Sequence, residues 1–154
     1  GKITLDVDTM QLNISIPDGY NEARIKGSDL FGDMSSAQYF DMTFNDIITT
    51  DNYAYMYHMG STSGGSNNGA EYIRLGQTLR NPTSYVGKPM SFNMNIIGLN
   101  EGEYSYCNFA VSLINSAGSV IGVGNTVFTD KIHTINFKSV TKIKAGATFE
   151  IWGR

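Results

Sequence analysis

The sequence predicts an all-β domain, an antiparallel β-sandwich of jelly-roll type. Two observations carry that prediction. Apolar residues recur with a period of two in short runs along most of the chain, and a period of two sends successive side chains to opposite faces of a strand. Turn residues separate these runs at intervals of roughly 8–15 residues, the spacing of a sandwich or barrel. No segment of useful length has the 3.6-residue period of a helix, and no internal repeat is visible. The 154 residues suit one domain with a real core.

The elements follow in order. Ile3, Leu5 and Val7 alternate, Asp8-Thr9 interrupts, and Leu12, Ile14 and Ile16 alternate again. These read as a strand, a turn and a strand, an N-terminal hairpin closed by Pro17-Asp18-Gly19. Tyr20 to Ser36 has no clean period, with one helical turn expected over Asp29–Met34. Residues 1–38 therefore form a hairpin and an irregular segment, and 39–154 the jelly-roll core. Phe40, Met42 and Phe44 make a strand, Thr49–Asn52 a turn, and Asn52–Met59 the next strand. Gly60–Gly69, GSTSGGSNNG, has no anchoring side chain and is expected to be an exposed loop. The pattern resumes at Tyr72–Leu75, breaks at Asn81-Pro82-Thr83, and returns strongly in Met90, Phe92, Met94 and Ile96.

The most informative stretch is Glu103–Thr129. Cys107, Phe109, Val111 and Leu113 alternate with polar or small residues, and Asn115–Gly118 supplies a tight turn. After it Ile121 and Val123 alternate with Val120, Gly122 and Gly124, so one face is expected to be apolar and the other small. Such a hairpin needs a second sheet to cover it. His133, Ile135 and Phe137, then Ala147, Phe149 and Ile151, complete the strands.

Composition narrows the function. Charged residues are only 16% and the net charge is −3, so polar surface must come from Asn, Ser, Thr, Gly and Tyr. No basic patch exists to neutralise phosphates, which argues against nucleic acid. No apolar run is long enough to insert in a membrane as a helix. Cys107 stands alone and reads as a core thiol, which rules out an intrachain disulfide. Asn13-Ile14-Ser15 matches the glycosylation pattern and is read as chance.

Little in the chain points to catalysis or to a cofactor. His58, His133 and Cys107 lack zinc-ligand spacing. Asp41, Asp46 and Asp51 are read as turn and edge carboxylates, and Asp6 and Asp8 lack the Asp-rich loop that calcium uses. Gly122-x-Gly124 lies in a strand without the helix that phosphate binding needs. The aromatic residues are more informative. Tyr53, Tyr55 and Tyr57 share one face of a strand, as do Tyr104 and Tyr106 elsewhere. Rings beside Asn and Asp suit a saccharide, whose apolar faces stack while its hydroxyls meet the polar groups. The competing reading is that these tyrosines roof the core. Trp152 is out of phase with Phe149 and Ile151 and is either a contact residue or a plug.

From Tyr39 to Arg154 the order of elements resembles a jelly-roll module of tail fibre, baseplate and other virion structural proteins of tailed bacteriophages. The matching pieces are YFDMTFNDI, NYAYMYHM, the Gly/Ser/Asn stretch, MSFNMNIIGL, the hairpin, IHTINFKSV and the closing KAGATFEIWGR. In that close Trp152 replaces the commoner Tyr, and Ala147 stands where Ser or Thr is frequent. The resemblance implies a non-enzymatic virion component on the particle surface, partnered by other virion proteins, homotrimeric, and in some members bound to host surface saccharide. Tyr53, Tyr55, Tyr57 and Trp152 are the expected glycan-binding residues. The alternatives are an architectural capsid decoration or head-fibre domain, and a carbohydrate-binding module of a secreted bacterial protein.

Overall fold

The computed structural model describes residues 1–33, 38–59, 63–79, 89–113 and 118–154. Among these residues, twelve strands build two antiparallel sheets: β1 Lys2–Thr4, β2 Thr9–Ser15, β3 Glu22–Leu30, β4 Gln38–Phe44, β5 Tyr53–Met59, β6 Ser63–Ala70, β7 Ile73–Leu79, β8 Met90–Ile97, β9 Tyr106–Leu113, β10 Gly118–Thr126, β11 Thr134–Ile143 and β12 Thr148–Gly153. The larger sheet runs β1-β12-β3-β8-β9-β10-β5-β6, and the smaller β2-β11-β4-β7. The chain changes sheet repeatedly, and the expected fold class is the observed one.

Inward residues come from the alternating runs. Phe40, Met42 and Phe44 of β4 face Met90, Phe92, Met94 and Ile96 of β8 across an apolar interior, with Ile135, Phe137 and Phe149 beside them. Four rings join the layers. Phe40 and Phe137 of the smaller sheet stack with centroids 5.5 Å apart, and Phe92 of the larger sheet lies 5.7 Å and 5.3 Å from them. Phe149 closes the group 6.1 Å from Phe92.

Several local expectations change. β1 and β2 do not pair with each other: β1 joins β12, and β2 joins β11 in the other sheet. The segment after Tyr20 holds β3, which lies between β12 and β8. Its inward positions include Ala23 and Gly27, too small to show as an apolar period. Asp29 takes φ +59° at a shift in register between Gly27 and Leu30, so a β-bulge stands where a helical turn was expected. The glycine-rich segment is strand β6 from Ser63 onward, paired along β5. The inward half of its backbone groups pairs with β5, so it is held without an anchoring side chain. The turns at Asn115–Gly118 and Asn81–Thr83, residues 60–62 and the end of Asp29–Met34 lie wholly or partly outside the described residues.

The β9–β10 hairpin forms as expected, with Phe109 opposite Gly122 and Cys107 opposite Gly124. The face of β10 is inverted. Val120, Gly122 and Gly124 turn inward, while Ile121 and Val123 are 56% and 49% exposed. Space decides this. A Cβ on Gly122 would stand 2.3 Å from the Phe109 ring and 2.7 Å from the Met56 carbonyl, and one on Gly124 would stand 2.6 Å from Ile73. Large side chains from neighbouring strands fill the volume above these glycines.

Adding a single methyl should test this packing. Gly122→Ala should lower stability by about 2 kcal/mol or more through overpacking. Val123→Ala, one residue away on the exposed face, should stay within roughly 0.5 kcal/mol. Equal effects in urea unfolding would show that the face of β10 is assigned wrongly.

Candidate functional site

The four residues singled out from sequence do not meet. Tyr53, Tyr55 and Tyr57 share the inner face of β5, and Trp152 lies on β12, five strands away in the same sheet. Tyr53 is fully buried. Its hydroxyl accepts from the Phe44 N–H at 2.9 Å and donates to the Ile47 carbonyl at 2.9 Å. Its ring meets Phe128 edge-on at 5.7 Å. It is a latch between β5 and the end of β4, out of reach of any ligand.

Tyr55 and Tyr57 are half-buried where the inner face passes beyond β7. Tyr55 stacks on Tyr57 at 6.2 Å and on Tyr72 at 6.4 Å. The Arg74 guanidinium lies 3.6 Å above the Tyr39 ring and 4.6 Å from that of Tyr72. It donates to both carboxylate oxygens of Asp41, at 2.9 and 3.1 Å. Burial pushes the Asp41 carboxyl up, and the two Arg74 bonds pull against that rise. The charged Asp41 oxygens keep Arg74 protonated despite its own burial. This cluster seals the β7 edge with its polar groups largely satisfied among themselves. The reading of these tyrosines as a roof over the core fits their surroundings.

A different surface is open. Outward residues of the larger sheet form a register row of Trp152, Arg24, Asn95, Asn108, Val123 and Met56, one per strand from β12 to β5. At the usual strand spacing the row is about 24 Å long. Beside it lies Ile97, opposite Tyr106, opposite Asn125. Trp152 is 49% exposed and Tyr106 51%. Two adjoining depressions follow this row. One, of about 350 Å³, lies between Trp152 and Asn95. The other, of about 580 Å³, runs from Asn95 past Tyr106 to Asn68. Both are lined by Asn95 and Ile97.

The chemistry of this trough is that of neutral amides between rings. Asn95 Nδ2 donates to Asn108 Oδ1 at 3.1 Å. Asn95 Oδ1 and Asn108 Nδ2 then have no protein partner among the described residues. A neutral amide has both donor and acceptor capacity, so the pair presents free donors and acceptors to solvent. The MSFNMNIIGL alternation already placed Asn93 and Asn95 opposite the core, and Tyr106 was visible as a member of a tyrosine pair. The signal missed was that they share a row with Trp152, a matter of strand order.

Other candidates are quiet. His58 and His133 are exposed, and no group of three metal-ligating side chains occurs among the described residues. Asp8 accepts from Lys144 and from the Ala145 N–H, bonds that hold its carboxyl below the usual range. Burial pushes the Cys107 thiol up to about 12, which leaves it a packing residue.

No family model and no curated protein matches the sequence. Among solved structures, the chain is similar to a Lotus tetragonolobus seed lectin at 7% identity and a TM-score of 0.21, over 99% of this chain and 94% of that one. A legume lectin-like domain from Entamoeba histolytica gives 5% identity and a TM-score of 0.18, over 98% and 82%. A functionally unknown protein from Saccharomyces cerevisiae gives 5% and 0.20, over 94% and 73%. None of the three is named as a phage or virion component. Likeness at these values carries no argument about a ligand, and the functional reading rests on the trough.

The Tyr53 latch has a pH signature. Burial pushes its hydroxyl from 10.0 up to about 12, so folding favours the protonated form. That contribution is complete below pH 10 and is lost as pH rises from 10 through about 12, with a size of order 2 kcal/mol. Urea unfolding at pH 8 and pH 11.5 should therefore show a steeper alkaline loss in wild type than in Tyr53→Phe. Parallel pH profiles would remove the latch from the stability argument.

Proposed function

We propose that this domain is a non-catalytic saccharide-binding module, and that the ligand lies in the trough on the outer face of the larger sheet. One observation carries the reading: the open Asn95–Asn108 amide pair lies in a row flanked by the exposed rings of Trp152 and Tyr106. Rings give a pyranose an apolar platform, and amides supply a donor and an acceptor to its hydroxyls. Neutral groups suit a neutral ligand, and Arg24 at the Trp152 end adds one charge-assisted donor. Of the four residues named from sequence, Trp152 stays in this proposal. The phage-module resemblance supports a setting on a virion, beside other virion proteins, with host surface saccharide as the target and a homotrimer as the assembly. A shallow site of this kind binds weakly per copy and gains by multivalency.

A glycan-array screen followed by titration calorimetry tests the proposal. Trp152→Ala and Tyr106→Ala should each weaken binding of the best saccharide about three- to tenfold, the worth of one ring contact. Both variants should retain the wild-type melting temperature, because both rings are half-exposed. No retained saccharide, or binding indifferent to both variants, would overturn the assignment. Turnover of the bound oligosaccharide would overturn its non-catalytic character.

A further inference from the structure

The larger sheet ends in two unlike edges. β1 has three residues and carries Lys2, so it is short and charged. β6 is an eight-residue edge with the sequence SGGSNNGA, without a charge or a proline. Among the described residues no strand pairs along its outer side. Natural sheets usually protect such an edge with Lys, Pro or brevity, and β6 has none of these.

Backbone direction can be followed into β6. The Val127 N–H donates to the Asn52 carbonyl, so Asn52 faces β10. Carbonyl direction alternates along a strand, so Tyr55 and Tyr57 face β6. Their partners Asn67 and Gly65 turn their N–H and C=O groups back toward β5. Ser66 therefore directs its N–H and C=O away from the sheet.

Side chains are large on β5 behind this edge and small on β6 itself. Met56, opposite Ser66, is 61% exposed on the outer face. Tyr57 is half-buried on the inner face, and a Cβ on its partner Gly65 would stand 2.8 Å from the Tyr57 ring. β6 thus leaves Met56 largely uncovered on the outer face and the half-buried Tyr57 ring partly uncovered on the inner one.

We propose that the β6 edge accepts an extended strand from a different polypeptide, an uncharged segment with bulky apolar side chains on both faces. Backbone bonds would hold the added strand, and its alternating side chains would cover Met56 on one face and Tyr57 on the other. A second copy of this chain fits less well. β6 paired with β6 would bring only Gly, Ser, Asn and Ala side chains and leave Met56 and Tyr57 as open as before.

The probe is an array of octapeptides lacking Asp, Glu, Lys and Arg, with Val, Ile, Tyr or Phe at adjacent positions, followed by titration of the best binder into the whole chain. The expected result is saturable binding with amide exchange at Ser66 slowed at least tenfold. Ser66→Pro removes the outward N–H at a position where an edge strand tolerates proline. It should weaken the peptide at least tenfold and leave the melting temperature within about 2 °C. Ser66→Lys, which keeps the N–H but adds an edge charge, should weaken it by less than Ser66→Pro. Absence of any binder from the array would overturn the proposal. So would binding unaffected by Ser66→Pro, or a dimer in sedimentation that the same substitution dissolves.

Discussion

The two sheets meet at the four-ring group of Phe40, Phe137, Phe92 and Phe149 in the centre of the core. Each sheet contributes two rings, so neither layer can bury its own aromatic surface without the other. The group demands space, and a neighbouring glycine supplies it. Gly27 lies opposite both Phe149 and Phe92, and a Cβ there would fall 2.2 Å from the Phe92 ring. Close-packed interiors transmit such a constraint along the sheet. The same relation recurs at Gly122 under Phe109 and at Gly124 under Ile73.

The outer surface follows from this inner packing. Because Gly122 and Gly124 hold inward positions of β10, Ile121 and Val123 between and beside them fall on the outward face. Ile121 and Val123 become surface residues beside Met56, and the trough inherits an apolar end from them. At the other end the alternation of β8 and β9 leaves Asn95 and Asn108 outward, because Met94 and Phe109 are needed within. The exposed amides and apolar groups are thus complements of core positions, brought into a row by the strand order.

Much of the fold was legible because alternation is a local property. The runs in β4, β8, β9 and β12 could be read strand by strand, and Phe40, Phe92, Phe109 and Phe149 are buried as expected. Three elements were not legible for three physical reasons. β3 hides its period behind Ala23 and Gly27, whose smallness is itself a packing requirement. β6 has no apolar residue until Ala70 and exists through backbone pairing with β5. The face of β10 turns on volumes contributed by Phe109 and Ile73, which are distant in sequence or on the other side of a turn.

The candidate site divides in the same way. Sequence alone determined that the chain is an all-β sandwich, that its surface is sparsely charged and amide-rich, and that Trp152 lies out of phase with the core. Alternation also placed Asn95 and Tyr106 opposite buried neighbours. Which exposed residues stand together was decided by tertiary structure, because adjacency across a sheet depends on strand order, and β12, β3, β8 and β9 meet only through long-range pairing. Tertiary structure also separated the tyrosines of β5. They share one face by period, but the smaller sheet covers Tyr53 completely and leaves Tyr55 and Tyr57 to seal its margin, because coverage depends on where the second layer ends.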